Sequence, residues 1–286
     1  MPIDEPIIEL GAWLQGAPGR VLLHWEQACL DRAVSDVFGY HALQLGLPEM
    51  DGLRANRMPH RWVASDSLGA VQVLHTPPPD DAGISTLPSQ VSVALHCDFD
   101  ALPFPDRSLD LVLLPHALEL ARNPHQLLRE VERVLRPDGR IIIIGFNPAS
   151  LWGLRQRLGR AQRAVGWARR RPLFLPRAGE FLNYWRLRDW LRLLSFELEA
   201  GRFGCYRPPY ASDRWLERSQ WMERMGERWW PVLGAAYFLV AVKRVRGVRL
   251  VGLVRSEVST ARAPKAVATQ RRQPETEMLC EMATSE

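Results

Sequence analysis

The 286-residue sequence predicts an α/β fold built on a mostly parallel sheet with helices on both faces. Two apolar runs point to it first. Residues 110–116 (DLVLLPH) and 140–146 (RIIIIGF) are apolar at successive positions, as expected of strands covered on both sides. Between them Leu127, Leu128, Val131, Val134 and Leu135 recur at helical spacing, so the order is strand, helix, strand, a βαβ unit. The punctuation agrees. Asn123-Pro124 supplies an N-cap followed by proline at the first helical position, and Pro137-Asp138-Gly139 follows the helix as a turn.

The remaining elements extend this unit in both directions. Leu10, Trp13 and Leu14, then Val21, Leu22, Trp25, Cys29, Val34 and Val37, are spaced by three and four, predicting helices broken at Gly16–Gly19 and an N-terminal helical cover over residues 1–40. HALQLGLPEM (41–50) reads as a short strand running into a turn at Gly46–Pro48, and a second strand is expected at 61–64. Residues 77–90 are a loop by composition, and VSVALH (91–96) alternates like a strand. Further on, the pattern predicts a helix at 186–195, a strand at 195–203, a helix at 212–228 and a last strand at 235–245. The expected organisation is a main domain over 41–250, with its core at 91–146 and a basic, lid-like insertion at 151–180. Residues 251–286, rich in Ala, Thr, Glu, Arg and Gln with little periodicity, read as a disordered tail.

At 47% hydrophobic residues the chain can bury a sizeable core. It has no run of 18 apolar residues, and MPIDEPIIEL places acids where a secretory signal would be basic, so a cytoplasmic location is expected. Cys29, Cys97, Cys205 and Cys280 are far apart and lack metal-ligand spacing, which argues against a zinc site or a disulfide framework. Charge is divided unevenly: residues 1–150 hold 11 Lys/Arg against 19 Asp/Glu, and residues 151–286 hold 26 against 13. Such a basic second half suits either a solvated surface or an anionic partner.

The string CDFDALPFPDRSLDLVLLPHALELARNPHQLLREVERVLRPDGRIIIIGF resembles the central part of a class I S-adenosylmethionine-dependent methyltransferase domain of the type 11 kind, here in a bacterial branch. The resemblance covers about fifty contiguous residues. It implies a Rossmann-like class I fold with an antiparallel final strand, S-adenosyl-L-methionine as cofactor and methyl transfer as the activity. In such families the first strand ends in a glycine-rich loop that lets backbone approach the cofactor closely. The matching stretch here is Gln44-Leu45-Gly46-Leu47-Pro48-Glu49, which keeps one glycine and carries Gln44 in place of the usual acid.

By the same resemblance Asp66 stands where an acid binds the ribose hydroxyls, a role suited to a bidentate carboxylate; an Asp before Ser is equally an ordinary helix cap. Asp98 matches the acid that accepts from the adenine amino group, with Phe99 beside it, or else Asp98 and Asp100 end a strand in a solvated turn. His116 follows the fourth strand at the carboxyl edge, where parallel sheets place ligands, and fits either the sulfonium end of the cofactor or a structural hydrogen-bonding role. The expected cofactor-binding set is thus Gln44, Gly46, Asp66, Asp98, Phe99 and His116. Asn147, just past the fifth strand, together with Tyr206 and Tyr210, is expected to line the acceptor pocket, unless Asn147-Pro148 is only a turn.

Methyl transfer needs alignment and desolvation more than a catalytic triad, so no residue is singled out as catalytic. A small-molecule acceptor is the leading expectation. The alternatives are a non-catalytic binding module with a degenerate cofactor loop and a nucleic-acid methyltransferase. FNPA lacks the aromatic residue that would stack on an extruded base. Residues 151–172 hold seven arginines and no acid among apolar residues at roughly helical spacing. That segment fits a lid, a nucleic-acid platform or a helix on an anionic membrane surface.

Overall fold

The computed structural model describes residues 5–66, 94–164, 173–175, 181–210 and 212–244. The expected loop at 77–90, the start of the strand at 91–96, much of the basic stretch beyond residue 164, the tail and Cys280 lie outside the described residues. The chain separates into two units, Met1–Arg246 and Gly247–Glu286; the first holds every element below.

The elements follow as α1 (Glu5–Leu14), α2 (Ala17–Ser35), β1 (His41–Leu45), β2 (His60–Ser65), β3 (Leu95–His96), β4 (Leu109–Pro115), α3 (Ala117–Leu120), α4 (Pro124–Val134) and β5 (Leu135–Phe146). After these come α5 (Leu151–Ala164), α6 (Tyr184–Leu193), β6 (Phe196–Gly204), α7 (Asp213–Arg218), α8 (Trp221–Trp229), a 3-10 turn (Pro231–Leu233) and β7 (Ala236–Lys243). The sheet has seven strands in the order β3-β2-β1-β4-β5-β7-β6. Strands β1 to β5 are parallel; β7 runs antiparallel to β5 and to β6. The predicted fold class, a mostly parallel sheet with an antiparallel final strand, here β7, is the one observed.

Local chemistry explains the boundaries. Asn123 caps α4 by accepting from the Gln126 N–H, with Pro124 in the first turn, and α4 buries the Leu127, Leu128, Val131 and Val134 face. The expected turn at Pro137-Asp138-Gly139 is instead absorbed into β5: Leu135 pairs with Leu109, the register shifts before Leu111, and Asp138 takes φ 62°. The single helix expected at 212–228 is two helices, because Ser219 bonds back to the Trp215 and Leu216 carbonyls and closes the first after Arg218.

One departure bears on the site. Parallel neighbours are usually joined through a helix, yet residues 46–59 carry β1 into β2 with none. The face that such a helix would cover is filled from the N-terminal side. Leu22, Cys29, Leu30 and Val34 of α2 pack with Ala42, Leu111, Leu113, Ile142 and Ile144 of the sheet. Polar bonds tie α2 to the linking loop: Gln27 donates to the Asp51 carbonyl at 2.8 Å, and Asn56 to those of Val34 and Val37.

Candidate functional site

The carboxyl ends of β1, β2, β3 and β4 lie side by side, and each delivers residues expected at a cofactor site. At the end of β1, Gly46 has φ 78° and Leu47 φ 45°. This left-handed turn admits Gly46 without strain and taxes Leu47 by about 1 kcal/mol. Gly46 faces the β4 exit: a Cβ on it would lie 3.7 Å from Ala117 Cβ and from the Pro115 carbonyl oxygen.

Gln44 is fully buried and holds this loop shut from within. Its Nε2 donates to the carbonyls of Gly46, Leu47 and Met50, at 3.3, 3.1 and 2.8 Å, and its Oε1 accepts from the Gly52 N–H at 2.9 Å. Only an amide both donates and accepts in this way; a carboxylate would meet three carbonyl oxygens. The substitution of glutamine for the usual acid is therefore a structural requirement of the helix-free loop, and the side chain's bonds are spent on backbone.

At the ends of β2 and β3 stand Asp66 and Asp98, both exposed. They face a common neighbour. The Cys97 thiol is raised to about 11, first by burial and then by the charges of Asp66 and Asp98. Asp98 Oδ1 accepts from the Asp100 N–H at 2.9 Å, which shapes the turn, and Asp100 is raised by burial and by Asp98. Phe99 points the other way, its side chain buried with Leu102, Leu109 and Leu114, so its backbone is what the turn presents. The result is an acidic rim suited to hydroxyl and amino donors.

His116 ends β4 in the left-handed conformation (φ 53°, ψ 8°), and its side chain is completely buried. Nε2 lies 2.9 Å from Glu26 Oε1 on α2, and Nδ1 lies 2.8 Å from Glu119 Oε2 on α3. Burial alone would favour the neutral ring, but the charges of Glu26 and Glu119 and their hydrogen bonds prevail and hold the imidazole up at about 10. An imidazolium donates from both nitrogens, matching an acceptor on each side. Glu119 Oε1 also accepts from the Phe146 N–H, and the Phe146 ring lies 4.5 Å from the imidazole. Glu26 Oε2 and the Tyr237 hydroxyl are buried without a hydrogen-bond partner among the described residues. Gly145 permits the approach, since a Cβ there would sit 2.5 Å from the Tyr237 oxygen and 3.0 Å from Glu119 Oε1.

Sequence reasoning missed both glutamates. The signal for Glu26 is an acid in the buried stripe Leu22, Glu26, Cys29, Leu30; Glu119 lies one helical turn after His116 in an apolar stretch.

Of the residues expected at an acceptor pocket, Asn147 and Tyr206 both donate to carbonyls of the 231–234 turn, and Tyr210 packs on Trp215. Asn147 is buried, donates to the Val232 and Gly234 carbonyls at 2.7 and 2.9 Å, and accepts from the Ala149 N–H, pinning the end of β5 to the approach of β7. Tyr206 donates to the Pro231 carbonyl at 2.7 Å, and burial pushes its hydroxyl up to about 12. It borders a cavity of about 530 Å³ between α2, β6 and α8, shared with Trp25, Arg32 and Arg202. Tyr210 is exposed against Trp215, with ring centroids 5.8 Å apart. Among the described residues no group of three His, Cys, Asp or Glu is arranged to hold a metal, and no helix is long and apolar enough to cross a membrane.

Known proteins resemble the chain in its central segment and in its fold. Residues 81–143 match the family described as Methyltransferase domain. The chain is 42% identical over 103 residues to the uncharacterized protein YafS of Escherichia coli strain K12, covering 36% of this chain and 39% of that one. It is 46% identical over 48 residues to the ubiquinone/menaquinone biosynthesis C-methyltransferase UbiE of Hahella chejuensis, covering 17% and 19%. The chain thus spans about two-fifths and one-fifth of the length of these two relatives. In fold it is similar to a chain of the Haloferax volcanii complex between the Trm112 methyltransferase activator and a methyltransferase, with TM-score 0.51, 18% identity and coverage of 85% of this chain and 99% of that one. Residues 81–143 thus carry a methyltransferase-domain segment, on a strand order and Rossmann-like fold that the chain shares with solved methyltransferases.

Proposed function

We propose that the protein binds S-adenosyl-L-methionine at the carboxyl edge of β1–β4 and transfers its methyl group to a small-molecule acceptor. The observation that carries this reading is the convergence of Gly46, Asp66, Asp98 and the Glu26–His116–Glu119 network on four adjacent parallel strand ends. When bound, the cofactor supplies an electrophilic methyl on a sulfonium. Asp98 and Asp66 would take the adenosine amino and hydroxyl groups. The completely buried Glu26–His116–Glu119 network sets two carboxylates against one imidazolium behind these strand ends, a charge balance that favours a cationic ligand. Gly46 keeps side-chain bulk from the surface between them. The residues of this edge would hold the methyl group toward the acceptor, whose nucleophile would displace the demethylated cofactor, the acceptor's proton leaving to solvent. Alignment of the reactants by these residues can account for about 7–11 kcal/mol of barrier.

A second reading has its own observation. No helix follows β1, so the first turn that would present N–H groups to the cofactor's carboxylate is missing, and Gln44 closes the loop. This favours a binding module that has kept the fold without the reaction. Calorimetric titration of the full chain with S-adenosylmethionine and with its demethylated product, for wild type and Asp98→Ala, separates the two. Saturable binding weakened at least tenfold by the substitution supports the enzyme, and no heat with either compound at millimolar concentration overturns it.

A further inference from the structure

We infer that α5, α7, α8 and the 3-10 turn form a docking face for an anionic lipid surface. The inference starts from an uneven distribution. Of the fifteen large hydrophobic side chains exposed among the described residues, eleven lie in Leu151–Leu158 or in Tyr210–Leu233. Helix α8 shows the pattern most plainly: Trp221, Met225 and Trp229, at successive four-residue steps, form one stripe exposed at 60, 41 and 66%. Trp230, Val232 and Leu233 prolong it, and Trp215 of α7 precedes it. On α5, Leu151, Leu154 and Leu158 repeat the arrangement. A water-soluble face rarely leaves so much contiguous apolar surface without a use.

The helices are tied to each other through one loop. Trp152 donates to the Arg207 carbonyl at 2.7 Å, Arg155 donates to the Pro209 carbonyl, and Tyr210 packs on Trp215. Helix α5 is held from its buried side by Gln156, which exchanges two 3.0 Å hydrogen bonds with the Leu175 backbone, so its leucines are left facing outward.

The charges choose the occupant. Arg155, Arg157 and Arg160 on α5 and Arg214, Arg218, Arg224 and Arg228 on α7 and α8 are all exposed. Of the acids on α7 and α8, Asp213 is engaged by Arg20 and Glu223 by Arg207, leaving Glu217 and Glu227 against these seven arginines. Tryptophans with a polar tip, aliphatic side chains and interspersed arginines suit the boundary between headgroups and acyl chains of an anionic bilayer. The exposed tryptophans would also stack on bases, but Leu151, Leu154, Leu158, Met225, Val232 and Leu233 among them match acyl chains, so the mixed face favours lipid over nucleic acid. The face is independent of the cofactor reading, because its residues lie outside the β1–β4 edge.

The test is co-sedimentation of the full chain, without cofactor, with vesicles of equal phosphatidylcholine and phosphatidylglycerol and with pure phosphatidylcholine vesicles. Binding to the anionic vesicles is expected, reduced at least tenfold by Trp221→Ala/Trp229→Ala/Trp230→Ala and several-fold by Arg224→Gln/Arg228→Gln. Circular dichroism matching wild type is expected for both variants, since these side chains are exposed. Failure to bind anionic vesicles, or binding that neither variant alters, overturns the inference. So does a dimer in sedimentation velocity that the tryptophan variant abolishes, which would make a second copy the occupant.

Discussion

Replacing His116 by glutamine tests whether the buried network carries an imidazolium. In the folded chain the group is held at about 10 against an ordinary value of 6.5, so the native state keeps a proton that the unfolded chain releases. The stability it confers is full below about pH 6.5 and is lost as pH rises through about 10. Within that window the slope approaches 1.4 kcal/mol per pH unit, and between pH 7 and 8 the loss is about 1 kcal/mol. That upper limit avoids the thiols: burial raises Cys29, Cys97 and Cys205, which would add losses of the same sign at higher pH. His116→Gln also removes the one positive partner of two buried carboxylates, at a cost of about 3–5 kcal/mol at pH 7. Urea denaturation of wild type and variant at pH 6.5, 7, 7.5 and 8 measures both effects. The gap between the two stabilities should narrow as pH rises. Adding Glu26→Gln and Glu119→Gln to the variant should recover part of the loss and leave no slope of this origin. A gap constant over the range would mean that His116 is neutral in the fold and that the network is an ordinary hydrogen-bond chain.

Two other substitutions probe the loop and the sheet. Gln44→Glu, which restores the family's acid, should cost about 2–4 kcal/mol at neutral pH by setting a buried carboxylate against the Gly46, Leu47 and Met50 carbonyls; urea unfolding reads it, and an unchanged midpoint would mean the loop can rebuild. Tyr237→Phe should be neutral or raise stability by up to about 1 kcal/mol, because the hydroxyl is buried without a hydrogen-bond partner, and a thermal melt lowered by several degrees would reveal a bonded hydroxyl.

What could be read from the sequence follows physical rules. Strands β4 and β5 and helix α4 were legible because residues buried on every side must be apolar at every position, while a helix against a sheet needs one stripe and a cap. The break between α7 and α8 was not, since it turns on a Ser219 hydroxyl choosing carbonyls of its own helix. In the site, Gly46 and Asp98 stand at the ends of β1 and β3, where the resemblance puts them. Gln44 read as a ligand contact because family position carries no information on which hydrogen bonds a side chain has already made. His116 sits at the strand end expected for it, but its partners come from residues 90 positions upstream and 3 downstream, and the distant one depends on how α2 crosses the sheet.

That crossing links the fold to the proposed chemistry. With no helix between β1 and β2, the sheet face needs another cover, and α2 supplies it by packing Leu22, Leu30 and Val34 onto β1, β4 and β5. A helix placed there must run past the carboxyl end of β4, and the position that meets His116 is Glu26. Its burial is tolerable only because the imidazolium answers it, and the imidazolium persists only because Glu119 answers from the other side. Helix α2 is therefore part of the candidate site as well as a cover for the sheet. The same substitution of helix for helix explains why the loop after β1 had to become self-sufficient: it lost the helix that would have anchored it and kept its shape through the Gln44 amide and its bonds to α2.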